Sequence, residues 1–311
     1  MREDDRPPAG VRDPLAHAPV FVLSPIRSFS SVVATMLGQH PDLYGFPELV
    51  LFTGETLEET LRAQPNEARE VYDFHHAGLK RAVAELEFGS QSDATIRLAQ
   101  EWIDERATRT GAEIFDSLLN RIAPRRGVEK SPDTARDLHS LIRVARHYPR
   151  ARFIHLTRSP DTAIRSIARH LGRMYMAGRE NAHTALAAST WASMHENICA
   201  FQSVLPATAL LRLRGEDLLS SPRPHCVELA RWLGLRADDD AIDGMLHPEN
   251  SVYANLGPKS ARGGNDWLFL SDPTLHRLST DPSQVIQFDS WLLPGELRER
   301  VSLLATHFGY L

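Results

Sequence analysis

The sequence predicts an α/β fold: a parallel sheet flanked by helices, with a helical insertion. Three observations predict it. The segment APVFVLSPIRSFSSVVATML, Ala18–Leu37, is a short apolar run, a loop and a helical pattern in succession. Strand-like runs and helical patterns then alternate along the later chain, the signature of a parallel sheet. Between these regions, residues 55–122 keep helical spacing and hold no convincing strand.

The elements follow in order. Residues 1–17 are polar and Pro-rich, and are expected to form a disordered leader ahead of a single domain, residues 18–311. Val20–Leu23 reads as a buried strand that stops at Ser24-Pro25. Ser30–Leu37 reads as a helix, with Val33 and Leu37 four apart. Leu43–Glu48, LYGFPE, is a short loop or strand. The insertion, residues 50–125 at its widest, carries Leu57/Leu61, Val71/Phe74, Leu79/Val83/Leu86, Ile96/Ala99/Ile103 and Ile114/Leu118/Ile122 at helical spacing. Arg126–Ser131 reads as a strand, and Pro132-Asp133 opens a helix to His147. Arg152–Thr157, RFIHLT, is the clearest central strand. Ser159-Pro160-Asp161 then starts a helix through His170, with a cap residue followed by Pro at the first helical position. Ala185–Leu205 is a long helix, Ala209–Leu213 a strand and Pro224–Leu235 a helix. A Gly-rich loop, Gly257–Asp266, and a helix, Pro294–Phe308, close the chain. No internal repeat is visible.

Composition narrows the function. A chain of 311 residues, 42% apolar and 24% charged, buries a large core. A net charge of −5 argues against broad nucleic-acid binding, so any anion site must be local. No apolar run approaches membrane-spanning length, and the N-terminus lacks a signal-peptide core. Cys199 and Cys226 lack metal-ligand spacing and read as reduced, buried thiols in a cytoplasmic protein. No HExxH, Cys/His cluster or GxSxG elbow is present, and no metal is expected. Lysine occurs three times against 32 arginines, at Lys80, Lys130 and Lys259. A lysine kept against that bias is a candidate for a specific task, because ammonium and guanidinium are not interchangeable.

Four motifs carry chemistry. Arg27, Ser28, Phe29, Ser30 and Ser31 sit between a strand and a helix N-terminus. Free backbone N–H groups, a guanidinium and hydroxyls together make a phosphate or sulfate cradle. The GxxxxGK[ST] signature is missing, which argues against the β,γ-phosphates of ATP. RSPDTAIRS puts Arg158 directly after a strand and Ser166 about two turns into the next helix. GVEKSPD puts Lys130 and Ser131 at another strand end. GPKSARGGND holds Lys259, Arg262, Gly263 and Gly264 in a loop able to wrap an anion. Each motif alone has an ordinary structural explanation: an ion pair, a helix start, a linker. Their shared placement at strand ends favours a ligand.

With these residues the chain resembles the sulfotransferases that use 3′-phosphoadenosine 5′-phosphosulfate (PAPS) as donor. The resemblance covers nearly all of the chain from Ala18 and implies a P-loop-like α/β core. It implies that Arg27–Ser31 bind the 5′-phosphosulfate and that Arg158 with Ser166 bind the 3′-phosphate. Lys259, Arg262 and Gly263 would close over that phosphate, with Arg169 or His170 as a further basic partner. LLRLRGEDLLSSP, Leu210–Pro222, is similar to the family's YEDL segment, with Gly215 in place of Tyr. The order Arg27, Glu48, Lys130 resembles the tyrosylprotein sulfotransferases. HPDLYGFPEL, NRIAPRRGVEKSP and TWASMHENI resemble the sulfotransferase domains of olefin-forming polyketide synthases. There the acceptor is a β-hydroxyl on a carrier-bound acyl chain. One departure stands out: the family's first loop reads RSGTT or RSGST, and here Phe29 takes the glycine position in RSFSS.

The resemblance implies that Glu48 is the base that takes the acceptor's proton. Its apolar neighbours, Phe46-Pro47 and Leu49-Val50-Leu51-Phe52, predict a setting suited to that role. Lys130 and Arg27 would stabilise the departing phosphate and the transferring sulfuryl group. His40, in GQHPDL, is a weaker base candidate or a structural histidine at a helix end, whereas His195, on a long helix, reads as packed or solvated rather than catalytic. The implied partners are a donor, PAPS or its product PAP, and a hydroxylated small-molecule or carrier-bound acceptor, acted on in trans. Phe52, Tyr72, Phe74, Phe88, Trp102 and Phe115 are either a lid over an apolar acceptor or ordinary core. Two other readings remain: a nucleotide-kinase-like phosphotransferase and a catalytically silent binding module.

Overall fold

The structure, a computed structural model, describes residues 18–62, 76–175, 180–278 and 293–311, with backbone alone at 173–175 and 180–182. The expected leader, the Val71/Phe74 pair and Tyr72 lie outside the described residues.

Strand β1, Val20–Leu23, is buried at every position, and its residues divide between two cores. Phe21 and Leu23 join one cluster, Val20 and Val22 the other. That is the two-residue period of a strand with both faces covered. Four parallel neighbours complete the sheet: β2 (Leu43–Gly45), β3 (Arg126–Glu129), β4 (Arg152–Thr157) and β5 (Leu210–Arg214), in the order β2-β3-β1-β4-β5. In register, Phe21 pairs with Glu129 of β3 and Phe153 of β4. Because β3, β1 and β4 are adjacent and parallel, the residues that follow them meet at one edge.

Helix α1 (Ser30–Gly38) follows β1 and packs on the Val20 face. The insertion supplies α2 (Leu57–Arg62), α3 (Ala77–Phe88), α4 (Asp93–Asp104) and α5 (Gly111–Ile122). Ser92 and Thr110 start α4 and α5 with reciprocal capping boxes, closed by Thr95 and Glu113. These helices cover the Phe21 face, where Phe52 and Phe115 are fully buried and form edge contacts with each other and with Tyr148. Phe52 and Phe115 are therefore core residues and not a lid.

After β3 the chain forms a 3-10 turn, Pro132–Arg136, and then α6 (Leu138–His147). The single helix expected here breaks at Asp137, which is extended (φ −136°, ψ 131°) and caps α6 by accepting from Ser140 N. Helices α7 (Pro160–Tyr175) and α8 (Glu180–Gln202) flank β4. Beyond β5 come α9 (Gly215–Ser220), which the sequence did not announce, and α10 (Pro222–Trp232). Next are α11 (Asp239–Met245), α12 (Trp267–Ser271) and α13 (Gly295–His307). A third cluster joins α7, α8 and α13 around Trp191, Ile167 and Val301. Among the described residues no helix is long and apolar enough to cross a membrane.

Candidate active site

The loop after β1 ends at Phe29, the N-cap of α1, which makes no side-chain cap. The first-turn amides of α1 therefore face outward with the positive end of the helix dipole. Arg27 and Phe29 both have φ 64°, in the left-handed region. Glycine adopts that conformation freely, which suits the glycine expected at position 29. The Phe29 ring does not fill the cradle. It lies beneath the Arg158 guanidinium, 4.2 Å from carbon to ring centre, on the β4–β5 side of the loop. Gly215, at the start of α9, makes room for it: a Cβ there would come within 2.6 Å of Phe29 Cδ2. The two departures from the family pattern are thus in contact.

Arg158 donates to the Arg27 carbonyl at 2.7 Å and to Thr162 Oγ1 at 3.0 Å. Burial pushes its guanidinium down to about 10, with Arg27 and Arg169 adding to that and Glu216 opposing it. Arg27 Nε donates to Ser166 Oγ at 3.2 Å. Arg27, expected at the 5′ end of the donor, therefore meets Arg158 and the buried Ser166, the pair expected at its 3′-phosphate, and Arg158 lies within range of a third charge, Arg169. Glu216 is held elsewhere, accepting from Ser159 N and Tyr310 Oη, each at 2.9 Å.

Lys130 follows β3 and is fully buried. Its ammonium donates to Ser31 Oγ at 2.9 Å, to Asn265 Oδ1 at 3.1 Å and to Glu48 Oε1. Three donors meet three acceptors, so the charge is held at a fixed point. Glu48 is a quarter exposed and can be reached from outside. Its setting differs from the apolar one expected: the apolar neighbours turn into the core while the carboxylate faces Lys130.

The late Gly loop reaches the cradle through residues that sequence reasoning missed. Asp266 pairs with Arg27, and its backbone N–H donates to Ser31 Oγ at 3.0 Å. Gly264 O accepts from Glu48 N at 2.7 Å. Gly264 (φ 84°) and Gly78 must both lack a side chain here. A Cβ on the first would lie 2.7 Å from Gly78 Cα, and one on the second 2.0 Å from Glu48 O. Lys259 and Arg262 have exposed side chains, and Lys259 acts on Asp93 of α4. Buried Arg81 of α3 anchors the loop, donating to Gly263 O at 2.6 Å, Asn255 O at 2.9 Å and Asn255 Oδ1 at 3.0 Å. Burial pushes Arg81 down to about 10. Asn265 and Asp266 gave a faint signal as polar residues following two glycines, and Arg81 gave none.

His40 is corrected. It lies past the far end of α1, buried, accepting from Asp42 N at Nδ1 (3.1 Å), so Nε2 donates to Arg236 O at 2.9 Å. An α1 of nine residues separates it from the cradle by roughly 14 Å. It closes a helix end with both ring nitrogens occupied, away from the cradle. His195 is buried against His155, with 2.9 Å between Nδ1 and His155 Nε2, so of the packed and solvated alternatives it is the packed one.

Two observations test the fit to an anionic donor. Ser28 Oγ is buried and has no hydrogen-bond partner among the described residues. Ser31 Oγ accepts from Lys130 and Asp266, leaving its own proton for another acceptor. An unsatisfied hydroxyl and uncapped amides beside two guanidiniums suit an oxyanion.

The sulfotransferase family matches residues 19–239. The chain belongs to that family. Its structure is similar to the sulfotransferase domain from the curacin biosynthetic pathway, with a TM-score of 0.76, 25% identity, and 95% of this chain and 98% of that one covered. It is also similar to the sulfotransferase domain from the Synechococcus PCC 7002 olefin synthase, with a TM-score of 0.72, 27% identity, and 95% and 96% covered. A search of curated proteins by sequence gives no match. In this sulfotransferase the expected α/β architecture is present, and the motifs of the first loop, β3 and β4 meet at one sheet edge.

Proposed function

We propose that this sulfotransferase takes its sulfuryl group from PAPS and passes it to a hydroxyl of a largely apolar acceptor, free or carrier-bound. One observation carries the reading: the buried Lys130 ammonium joins Ser31 of the anion cradle to Glu48, the carboxylate open to an acceptor. Arg27, Ser28, Ser30 and Ser31 would hold the 5′ end of the donor, and Arg158, Ser166 and Arg169 its 3′-phosphate. Lys259 and Arg262 would reach that phosphate only from the outer face of the loop.

The donor supplies a sulfuryl group on a phosphate leaving group; transfer forms the acceptor O–S bond, breaks the S–O bridge and releases the acceptor's proton. Glu48 takes that proton. Lys130 and Arg27 face the bridging oxygen as it gains charge, which is where fixed positive charge lowers a barrier. Asp266 occupies Arg27 beforehand, so donor binding replaces one anion on that guanidinium by another. The origins of the two similar domains, a curacin biosynthetic pathway and an olefin synthase, support a largely apolar acceptor. Phe29 lends no support to a silent module, because its ring lies outside the cradle.

The experiment is a thermal shift and calorimetric titration with PAP and with adenosine 5′-phosphate, followed by radiolabel transfer from PAPS to a panel of alcohols. PAP should stabilise the fold and bind much more tightly than adenosine 5′-phosphate, and Arg158→Ala should remove most of the difference. Equal affinity for the two nucleotides would sink the assignment of Arg158 and Ser166. Glu48→Gln should keep PAP affinity and lower turnover by about 100-fold.

A further inference from the structure

Glu129 is the last residue of β3, paired in register with Phe21 in the middle of the sheet, and is 2% exposed. An apolar side chain would cost less there, because burying a carboxyl requires hydrogen bonds to offset lost hydration. The bonds it makes run to one place. Ser131 Oγ donates to Glu129 Oε1, and the Leu49 N–H also bonds to the carboxylate. The same Ser131 Oγ accepts from Val50 N at 2.9 Å. Val50 has φ 51°, a conformation that a β-branched residue avoids. Together with Glu48 N on Gly264 O, three successive amides, Glu48, Leu49 and Val50, each have a fixed acceptor.

We infer that Glu129 is a positioning residue for Glu48: with Ser131 it holds the Leu49–Val50 backbone in the conformation that aims the Glu48 carboxylate at Lys130. The inference rests on the reading of Glu48 as the proton acceptor. Val50 left to itself relaxes to negative φ, and that rotation re-routes the chain through Leu49 and shifts the Glu48 backbone, two residues upstream, from which the carboxylate reaches Lys130. Strain of this kind persists only where surrounding bonds over-determine it, and Glu129 and Ser131 supply those bonds.

The test pairs amide exchange at Leu49 and Val50, read by NMR in the free protein, with steady-state kinetics and PAP affinity. Glu129→Ala should speed exchange at both amides by about 100-fold, through local opening of the segment. It should lower kcat by about 30-fold with PAP affinity and donor KM held within about threefold, because the loss is one of transition-state geometry. Glu129→Gln keeps an acceptor oxygen and should restore most of both. Native-like exchange in Glu129→Ala overturns the inference, as does fast exchange with unchanged kcat, or an equal loss in kcat and PAP affinity. Should Glu129→Ala not fold, Ser131→Ala removes the Val50 acceptor together with the hydroxyl that Glu129 accepts from; fast Val50 exchange with a kcat loss supports the inference, and unchanged values overturn it. Full activity of Glu48→Gln would remove the base assignment by itself, and the exchange data would still decide whether Glu129 holds the segment.

Discussion

Phe29 occupies a backbone conformation made for glycine, and its ring rests where Gly215 leaves space, beneath Arg158. Each departure is visible in the sequence; their contact is not, because 186 positions separate them. The contact predicts a coupling. Gly215→Ala puts a Cβ against the ring and must move Arg158, so PAP should bind about tenfold more weakly. Phe29→Ala removes the ring and its cation–π contact, for a loss of about threefold. The double mutant should bind like Phe29→Ala alone, and calorimetry on all four proteins checks this. An equal cost of Gly215→Ala with and without Phe29 would show that the pair is not coupled. Glu129 bears on stability. Burial pushes its carboxyl up to about 7, with Ser131 and Lys130 opposing, whereas it titrates near ~4.3 unfolded. The native state then binds the extra proton, so this contribution is fully present below the unfolded value and is lost as pH rises through 7. His155 and His195 act in the opposite sense. Burial lowers both, His155 to about 3, so their contribution holds above ~6.5 and is lost as pH falls. The two slopes oppose one another between the windows. Glu129→Gln should therefore steepen the rise of stability with pH between about 4.5 and 7, by up to ~1.4 kcal/mol per pH unit. Urea denaturation across that range reads it, and an unchanged slope would move the titration to another group.

The insertion helices show what periodicity can and cannot reveal. Ile96/Ala99/Ile103 and Ile114/Leu118/Ile122 are buried where the spacing put them, and capping boxes mark both helix starts. Helix α9 was missed because it begins at glycine and lasts six residues, too short for a periodic signal. Arg81 was missed because an arginine on the buried side of α3 looks like a break in the pattern. Its role needs the late loop, whose carbonyls it bonds from inside the protein. This tie couples the insertion to the anion cradle. Arg81→Lys offers a compact ammonium in place of a planar fork and cannot reach Gln91, Asn255 and Gly263 together. It should lower the melting temperature by about 5 °C, as for loss of one or two charge-assisted bonds. Hydrogen exchange in residues 255–266 should rise more than in β1 or β4, and PAP should bind more weakly. Uniform acceleration over all elements would mean that Arg81 supports the whole core and not the loop.

At the scale of the molecule, the strand order places the ends of β3, β1 and β4 side by side. That much was legible, since alternating strands and helices imply a parallel sheet and ligands gather at its carboxyl edge. The partners that complete the edge were not. Asn265 meets Lys130 across 135 positions and Asp266 meets Arg27 across 239, and no local pattern records such closure. The result is a cradle in which two cations, Lys130 and Arg27, already carry protein carboxylates. A donor that binds Arg27 must displace the Asp266 carboxylate, and the free energy of that pair is subtracted from the donor's affinity. Asp266→Asn keeps an oxygen for the Leu268 N–H at the start of α12 and removes only the charge. It should tighten PAP binding by about tenfold, the worth of one partly exposed ion pair no longer broken on binding. Inorganic sulfate should stabilise the variant more than the parent protein, which reads the same exchange without a nucleotide. Calorimetry at low and high salt separates the terms, because a vacated Arg27 adds one more screened charge contact to the bound state. Weaker PAP binding in Asp266→Asn would mean that the carboxylate orients Arg27 for the donor and does not stand in its place.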